Sequence, residues 1–84
     1  MGQQEKLIQR LISKPKDFTF GETEKLLNYF GYIKVSGGKT SGSKVAFSND
    51  RKDYIRIHKP HPRNVLKPYQ ITNLINDLTE RELL

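Results

Sequence analysis

Apolar residues recur along this chain with two different periods. In residues 3–31 and 66–84 they lie three or four positions apart, as on one side of a helix, whereas in residues 32–59 they alternate with polar residues. The helical period predicts three helices, over residues 3–13, about 19–30 and about 68–78. The alternation predicts three short strands, over residues 32–36, 43–48 and 53 or 54 to 59.

Local signals mark the ends of the predicted helices. Thr19 and Glu22 have the spacing of a capping box, in which each side chain bonds the backbone amide of the other residue, so the second helix begins at this point. Gly31 stands where a glycine commonly ends a helix. Thr79 and Glu82 repeat the capping-box spacing and predict a short additional helix at the C-terminus.

The order of these elements predicts the fold class. Two consecutive hairpins form an antiparallel meander, and such sheets commonly have one buried and one solvent-facing side. The helices most simply pack together on the apolar side of the sheet. We therefore expect a single α+β domain over all 84 residues, a two-layer sandwich with the order α-α-β-β-β-α and a three-stranded antiparallel sheet.

The alternating positions separate an apolar side of the sheet from a basic one, because neighbouring side chains of a strand point to opposite faces. The predicted apolar face consists of Ile33, Val35, Val45, Phe47, Ile55 and Ile57. The predicted solvent-facing side consists of Lys34, Ser36, Lys44, Ala46, Ser48, Tyr54, Arg56 and His58. An error of one residue in any strand would exchange its two faces.

Positive charge is concentrated in the middle of the chain. The formal net charge is +6, and residues 32–69 carry nine of the fifteen Lys and Arg but only two of the nine acids. A localised basic surface favours a polyanionic partner, of which nucleic acid is the commonest. Lysines that only keep the protein in solution are the alternative interpretation.

Composition excludes several other classes of protein. The chain has no cysteine, which rules out a disulfide scaffold, a thiolate zinc site and a cysteine nucleophile. No apolar run approaches the roughly 20 residues that span a bilayer, and the N-terminus lacks the apolar centre of a signal peptide. We expect a cytoplasmic protein without a membrane partner.

A glycine-rich segment, Gly37 to Ser43, lies between the first two predicted strands and contains Lys39. Its Gly-Lys-Thr sequence is not a nucleotide-binding phosphate loop, because the first glycine of that motif is missing and a strand follows instead of a helix. Backbone amides in such a loop can meet an anion. A flexible hairpin connection without a ligand explains the glycines equally well.

Lys44 and the two histidines are the candidates for chemistry. A lysine is a poor general base at neutral pH, but its ammonium group stabilises charge that develops on a phosphate. Histidine suits proton transfer, and His58 falls on the same predicted face as Lys44, whereas His61 lies in a proline-rich turn and is better explained as structural. Two histidines without an acid cluster do not predict a metal site, and no cofactor motif is present.

Several short motifs, in their order and spacing, resemble the HicA family of toxins from bacterial type II toxin–antitoxin systems. The helix that ends at Phe30-Gly31-Tyr32 is similar to that family's helix before the first strand. Gly42-Ser43-Lys44 aligns with its Gly-Ser-His signature. Lys59-Pro60-His61-Pro62 and Leu66-Lys67-Pro68 resemble its proline-containing segments, and Ile71 to Leu78 follows as its last helix.

The resemblance covers about residues 20–78 and leaves helix 3–13 as an addition to the core. It implies a fold like that of double-stranded-RNA-binding domains. It also implies an mRNA endoribonuclease that needs no metal, inhibits translation and is neutralised by a HicB-type antitoxin over its active face. The family's catalytic histidine aligns with Lys44, so Gly42 and Ser43 match the signature whereas the proton-transfer group does not.

Two specific functional hypotheses follow, together with a third that is less specific. In the first, the protein is a ribonuclease in which Lys44 and His58 are catalytic. The residues expected to contact RNA are Lys34, Lys39, Ser43, Lys44, Arg56 and Lys59. In the second, it is a noncatalytic RNA-binding module of the same fold. A basic protein-interaction domain with an acidic partner is the third.

Overall fold

The secondary structure follows the element order α-α-β-β-β-α. The computed structural model describes residues 2–37, 44–60 and 63–84. The elements are α1 (Gln3–Ile12), α2 (Phe20–Tyr29), β1 (Ile33–Gly37), β2 (Lys44–Ser48), β3 (Tyr54–His58) and α3 (Pro68–Glu80). The α+β class and the three-stranded antiparallel sheet are thus confirmed, with β2 between β1 and β3.

The cap of α2 has the geometry that its sequence predicts. The backbone amide of Glu22 donates to Thr19 Oγ1 at 3.0 Å, and the Thr19 amide donates to Glu22 Oε1 at 2.9 Å. Beyond the end of α2, Gly31 has φ of +90°, a left-handed conformation that other residues rarely adopt. Local interactions therefore mark both ends of α2.

The predicted short helix at the C-terminus is wrong. Thr79 lies inside α3, and its hydroxyl donates to the carbonyl oxygen of Ile75 at 2.7 Å instead of capping a new helix. The helix ends at Glu80, and the amide of Arg81, its C-cap residue, donates to Asp77 O at 3.3 Å. Across the described ranges, no helix combines the length and the apolarity that a membrane span requires.

The core lies between the helices and one face of the sheet. The sheet contributes Val45, Phe47 and Ile55, all buried. Opposite them, the helices contribute buried side chains that include Leu11, Leu26, Leu27, Ile71, Leu74 and Leu78. Because Leu11 belongs to α1, the N-terminal helix packs on this core and is not a detached extension.

Strand β1 departs from the predicted faces. Ile33 is 62% exposed and Val35 is 48% exposed, although both were expected in the core. Lys34 pairs with Phe47, on the side of the sheet that carries the core, and the register shifts between Lys34 and Ser36. The buried residue at this end is Tyr32, so the alternation begins one position earlier than expected and a β-bulge follows.

Three polar side chains hold the start of β1, the β2–β3 turn and the end of α3 together. The Tyr32 hydroxyl and the Arg81 guanidinium both donate to the carboxylate of Asp53, and the Arg81 Nε to Asp53 Oδ2 distance is 2.7 Å. These hydrogen bonds, Arg81 first and Tyr32 second, hold the pKa of Asp53 below its ordinary value. We call Tyr32, Asp53 and Arg81 the Arg81 cluster.

An isoleucine is buried in β3 and exposed in β1, and replacing each one by alanine tests this difference between the two edge strands. We expect Ile55→Ala to lower the free energy of unfolding by about 2–5 kcal/mol, because it opens a cavity in the core. Ile33→Ala is the matched control and should change it by less than about 1 kcal/mol, because that side chain is mostly in water. Urea denaturation measures both values, and a large loss at Ile33 would contradict the register of β1.

The Arg81 cluster predicts a pH dependence of stability. We expect Asp53→Asn to lower the free energy of unfolding at neutral pH by about 1 kcal/mol. This is the usual contribution of a charge-assisted hydrogen bond, reduced because the pair is partly exposed to solvent. Because the folded-state pKa of Asp53 is depressed, its stabilisation is present above the ordinary aspartate range and is lost as pH falls through the folded value. The difference between wild type and variant should therefore shrink below about pH 4.

Asp50→Asn is the control for that measurement, because Asp50 is an exposed carboxylate of the same turn. Denaturant titrations at a series of pH values would compare the two variants. A difference for Asp53→Asn that stays constant down to pH 2 would contradict the proposed role of its ionised form.

Candidate nucleic-acid interface

Strands β2 and β3 place the predicted basic residues on one face. Their antiparallel register pairs Lys44 with His58, Ala46 with Arg56, and Ser48 with Tyr54. Directly opposed residues share a face, and the intervening pairs, Val45 with Ile57 and Phe47 with Ile55, belong to the other side. We call the side with Lys44, Ala46, Ser48, Tyr54, Arg56 and His58 the open face. This part of the prediction is confirmed.

The open face is a shallow trough. Along its centre, Ala46 and Ser48 are small and only 9% and 6% exposed, and Arg56 lies opposite Ala46 on β3. Tyr54 stands on one side of Ser48, and Ile33 stands opposite on β1. The Arg56 guanidinium lies over the Tyr54 ring, 5.2 Å from its centroid. This contact holds a cation and an aromatic ring together at the rim.

Lys44 and His58 form the basic end of the trough. The carbonyls of His58 and Tyr54 accept hydrogen bonds from Gln70 and Arg81, on the side of β3 away from β2. Since the backbone of His58 points away from β2, His58 makes no ladder hydrogen bond to β2. Lys44 and His58 are therefore a non-hydrogen-bonded pair, whose Cα atoms lie about 4.5 Å apart. Both side chains are exposed, so an ammonium group stands beside an imidazole in a position that a solvent-borne ligand can reach.

Two other predicted site residues, Lys34 and Lys59, do not lie on this face. Lys34 pairs with Phe47 on the covered side, so its predicted place beside Lys44 is wrong. Lys59 turns to the same side, where its ammonium lies 5.9 Å from the centroid of the Phe20 ring. Lys39 and Ser43 lie outside the described residues, as does the rest of the glycine-rich segment from Gly38. His61, for which the sequence predicts a structural role, also lies outside them.

A cleft between β3 and α3 was not anticipated from the sequence. It has a volume of about 340 Å³ and borders His58 and Arg56 of the open face. From α3 it is lined by Tyr69, Gln70, Asn73, Leu74 and Asp77. The available signal was the spacing of Gln70, Asn73 and Asp77 at i, i+3 and i+7, a polar stripe along one side of an otherwise apolar helix.

Gln70 joins the cleft to the open face. Its side chain is nearly buried; Nε2 donates to the carbonyl of His58 at 2.7 Å, and Oε1 accepts from the Lys67 amide at 2.9 Å. The first bond attaches the first turn of α3 to the end of β3. The backbone position of His58 therefore depends on α3 as well as on the sheet.

No family model, curated protein or solved structure matches the chain. In the three described ranges, no group of three or more His, Asp or Glu side chains is arranged to hold a metal ion. The open face offers a fixed cation, a proton-transfer group and an exposed aromatic ring within one patch.

The pairing of Lys44 with His58 predicts a specific cross-link. We expect the double variant Lys44→Cys, His58→Cys to form an intramolecular disulfide under mild oxidation, because a bridge needs Cα atoms about 4.4–6.8 Å apart. The control is Lys44→Cys, Arg56→Cys, a diagonal pair on the same face at about 7–8 Å. Since the natural chain has no cysteine, free-thiol titration and intact mass report only the engineered pair. Equal oxidation of both pairs would contradict the register.

Proposed function

We propose that the open face binds RNA and cleaves it without a metal ion, through Lys44 and His58. The observation that carries this proposal is their direct pairing across β2 and β3 on the solvent-facing side of the sheet. An imidazole transfers protons near neutral pH, and a neighbouring ammonium stabilises an anionic transition state. Together these groups supply a base for the attacking hydroxyl and stabilisation of the charge on phosphorus, two of the functions that phosphodiester transesterification needs.

The proposed reaction uses the RNA's own 2′-hydroxyl as the nucleophile. His58 accepts the proton of this hydroxyl while its oxygen bonds to the adjacent phosphorus. Lys44 stabilises the negative charge on the five-coordinate phosphorus. The bond from phosphorus to the 5′-oxygen then breaks, that oxygen takes a proton from water, and the protonated His58 gives its proton to the hydroxide that remains. The products are a 2′,3′-cyclic phosphate and a free 5′-hydroxyl, and DNA is not cleaved because it lacks the attacking group.

Tyr54 and Arg56 suit the binding part of this function. Tyr54 is 43% exposed, and its ring is available for stacking on an unpaired base. Arg56 is exposed beside it and reaches toward the same trough. Single-stranded RNA is usually held by this combination of basic groups along the backbone and aromatic rings against the bases.

The resemblance to HicA toxins supports the same proposal and extends it. On that basis the fold is like that of double-stranded-RNA-binding domains, the substrate is mRNA, the consequence is inhibition of translation in the cytoplasm, and the partner is a HicB-type antitoxin that covers the open face. The Lys44 position, where the family has its histidine, favours a second candidate. In that alternative the protein binds RNA through the same face without cleaving it.

Cleavage of labelled single-stranded RNA in the presence of EDTA tests the first candidate. We expect wild type to cleave RNA but not DNA of the same sequence. His58→Ala should lower the rate by about 10²–10⁴-fold, the usual contribution of a general base. Lys44→Ala should lower it by about 10²–10³-fold, as loss of one transition-state donor does. Gel resolution of the cyclic-phosphate product measures both rates.

Lys25→Ala is the matched control, because Lys25 is an exposed lysine of α2 and its loss makes the same charge change. It should cleave at the wild-type rate. Binding without cleavage by wild type would favour the noncatalytic candidate, whereas the absence of both binding and cleavage would refute the proposal. Retained cleavage by His58→Ala would remove that residue from the mechanism.

A further inference from the structure

The cleft between β3 and α3 differs in character from the trough beside it. Its floor is apolar, with Leu66 and Leu74 both buried. Its rim on α3 is polar, with Tyr69 59% exposed and Asn73 also in contact with solvent. Small-molecule sites commonly combine such an apolar floor with a few polar groups, at volumes from about 300 Å³ upward. The observed volume of 340 Å³ lies at the lower end of that range and has room for one planar base.

Charge distinguishes what can occupy the cleft from what binds the trough. Asp77 lines the cleft, and its nearest cation is Arg81, with Nη1 at 3.8 Å from Asp77 Oδ1, which is longer than a hydrogen bond. A phosphate inserted there would meet this carboxylate. Arg56 and His58 stand at the opposite margin, where they face the trough. This distribution of charge favours a phosphate in the trough and a neutral polar ring in the cleft.

The free edge of β3 does not suit an extended peptide. An added strand needs a row of outward-facing backbone groups. The carbonyl of Tyr54 already accepts from Arg81 at 3.2 Å, and that of His58 accepts from Gln70 at 2.7 Å. By alternation Tyr54, Arg56 and His58 all point their backbone groups away from β2, and two of their three carbonyls are blocked, which leaves that of Arg56 between them. One residue is too short for strand addition but is sufficient for the edge of one base.

We propose that the cleft binds a single unpaired nucleobase of the RNA whose phosphates lie on the open face, and that it prefers adenine, cytosine or guanine over uracil. This inference rests on the proposed RNA binding. Tyr69 stacks on the base, and Asn73 and Asp77 contact its edge. A carboxylate only accepts hydrogen bonds, so it favours the amino groups of these three bases. In uracil the single imino donor is flanked by two carbonyl oxygens, which a carboxylate repels.

Binding of short 2′-O-methyl oligonucleotides tests the preference, because they lack the attacking hydroxyl and stay intact. The probes are an all-uridine heptamer and three variants with one central adenosine, cytidine or guanosine. By fluorescence anisotropy we expect wild type to bind at least one substituted heptamer about tenfold more tightly than the all-uridine one. Asp77→Asn, which keeps the shape of the side chain, should remove this preference, because its amide donates as well as accepts and so no longer repels the carbonyl oxygens of uracil.

Tyr69→Ala should weaken binding of the preferred heptamer by about fivefold or more, the effect of losing one stacked base. Glu80→Gln is the control, because Glu80 is an exposed acid of the same helix outside the cleft. The side-chain amide resonance of Asn73 provides a second readout and should shift with the preferred heptamer in NMR spectra of the wild type.

The outcomes separate the two proposals. If all heptamers bind equally to wild type and to Asp77→Asn, and Lys44→Ala weakens each of them, the cleft does not bind a base while RNA binding by the open face stands. If wild type binds no heptamer, both proposals fail. If extended peptides shift the Asn73 resonance and the heptamers do not, the cleft is a protein-binding groove and the inference is wrong.

Discussion

The ring of Phe47 is fully buried at the centre of the covered side of the sheet, and its burial decides where the charges of the open face lie. Phe47 opposes Ile55, and Val45 opposes Ile57, so the apolar side chains of β2 and β3 fit the core in one register only. A slip of one residue would put Ala46 and Ser48 in the core and expose Phe47, losing the burial of a large aromatic side chain. The places of Lys44 and His58 on the other side follow from this constraint.

Helix α3 performs two tasks at the edge of the same sheet. Through Leu74 and Leu78 it completes the core, and through Gln70 and Arg81 it satisfies two outward carbonyls of β3. Edge strands are prone to pair with other chains unless their backbone groups are blocked. The two side chains act as such blocks at either end of β3. The gap that remains between them is the cleft, so protection of the edge and formation of a binding site have the same structural origin.

Much of this architecture could be predicted because its signals are local. The cap of α2 and the left-handed Gly31 depend on neighbours in the chain, and β2 and β3 alternate without ambiguity. Strand β1 could not be assigned in the same way, because Tyr32 and Ile33 are both apolar and either one fits the buried position. Which of the two is buried depends on the hydrogen bond from Tyr32 to Asp53, a residue 21 positions away. It also depends on a β-bulge for which the sequence of β1 carries no signal.

The same limit applied to the candidate site. The sequence pattern correctly predicted that Lys44, Arg56 and His58 share one face of the sheet, because this grouping depends only on the register of β2 and β3. Lys34 was misplaced together with β1. Lys59 was grouped with them by its charge and its position in the chain, whereas its ammonium packs over Phe20 on the covered side. The cleft depends on how α3 docks against β3, which the periodicity of α3 does not specify.

The pairing of charges argues against simple solubility as the reason for the basic middle of the chain. In the described residues the ion pairs join Arg10 to Asp17 and Glu22, and Arg81 to Asp53 and Asp77. These two arginines join helices and turns to one another through four carboxylates. Lys44, Arg56 and His58 occur in none of these pairs, although they lie close together on one face. Placing the cations Lys44 and Arg56 on one face costs stability through mutual repulsion, and a bound polyanion would remove that repulsion. A surface that served only to keep the protein in solution would be expected to mix both signs of charge.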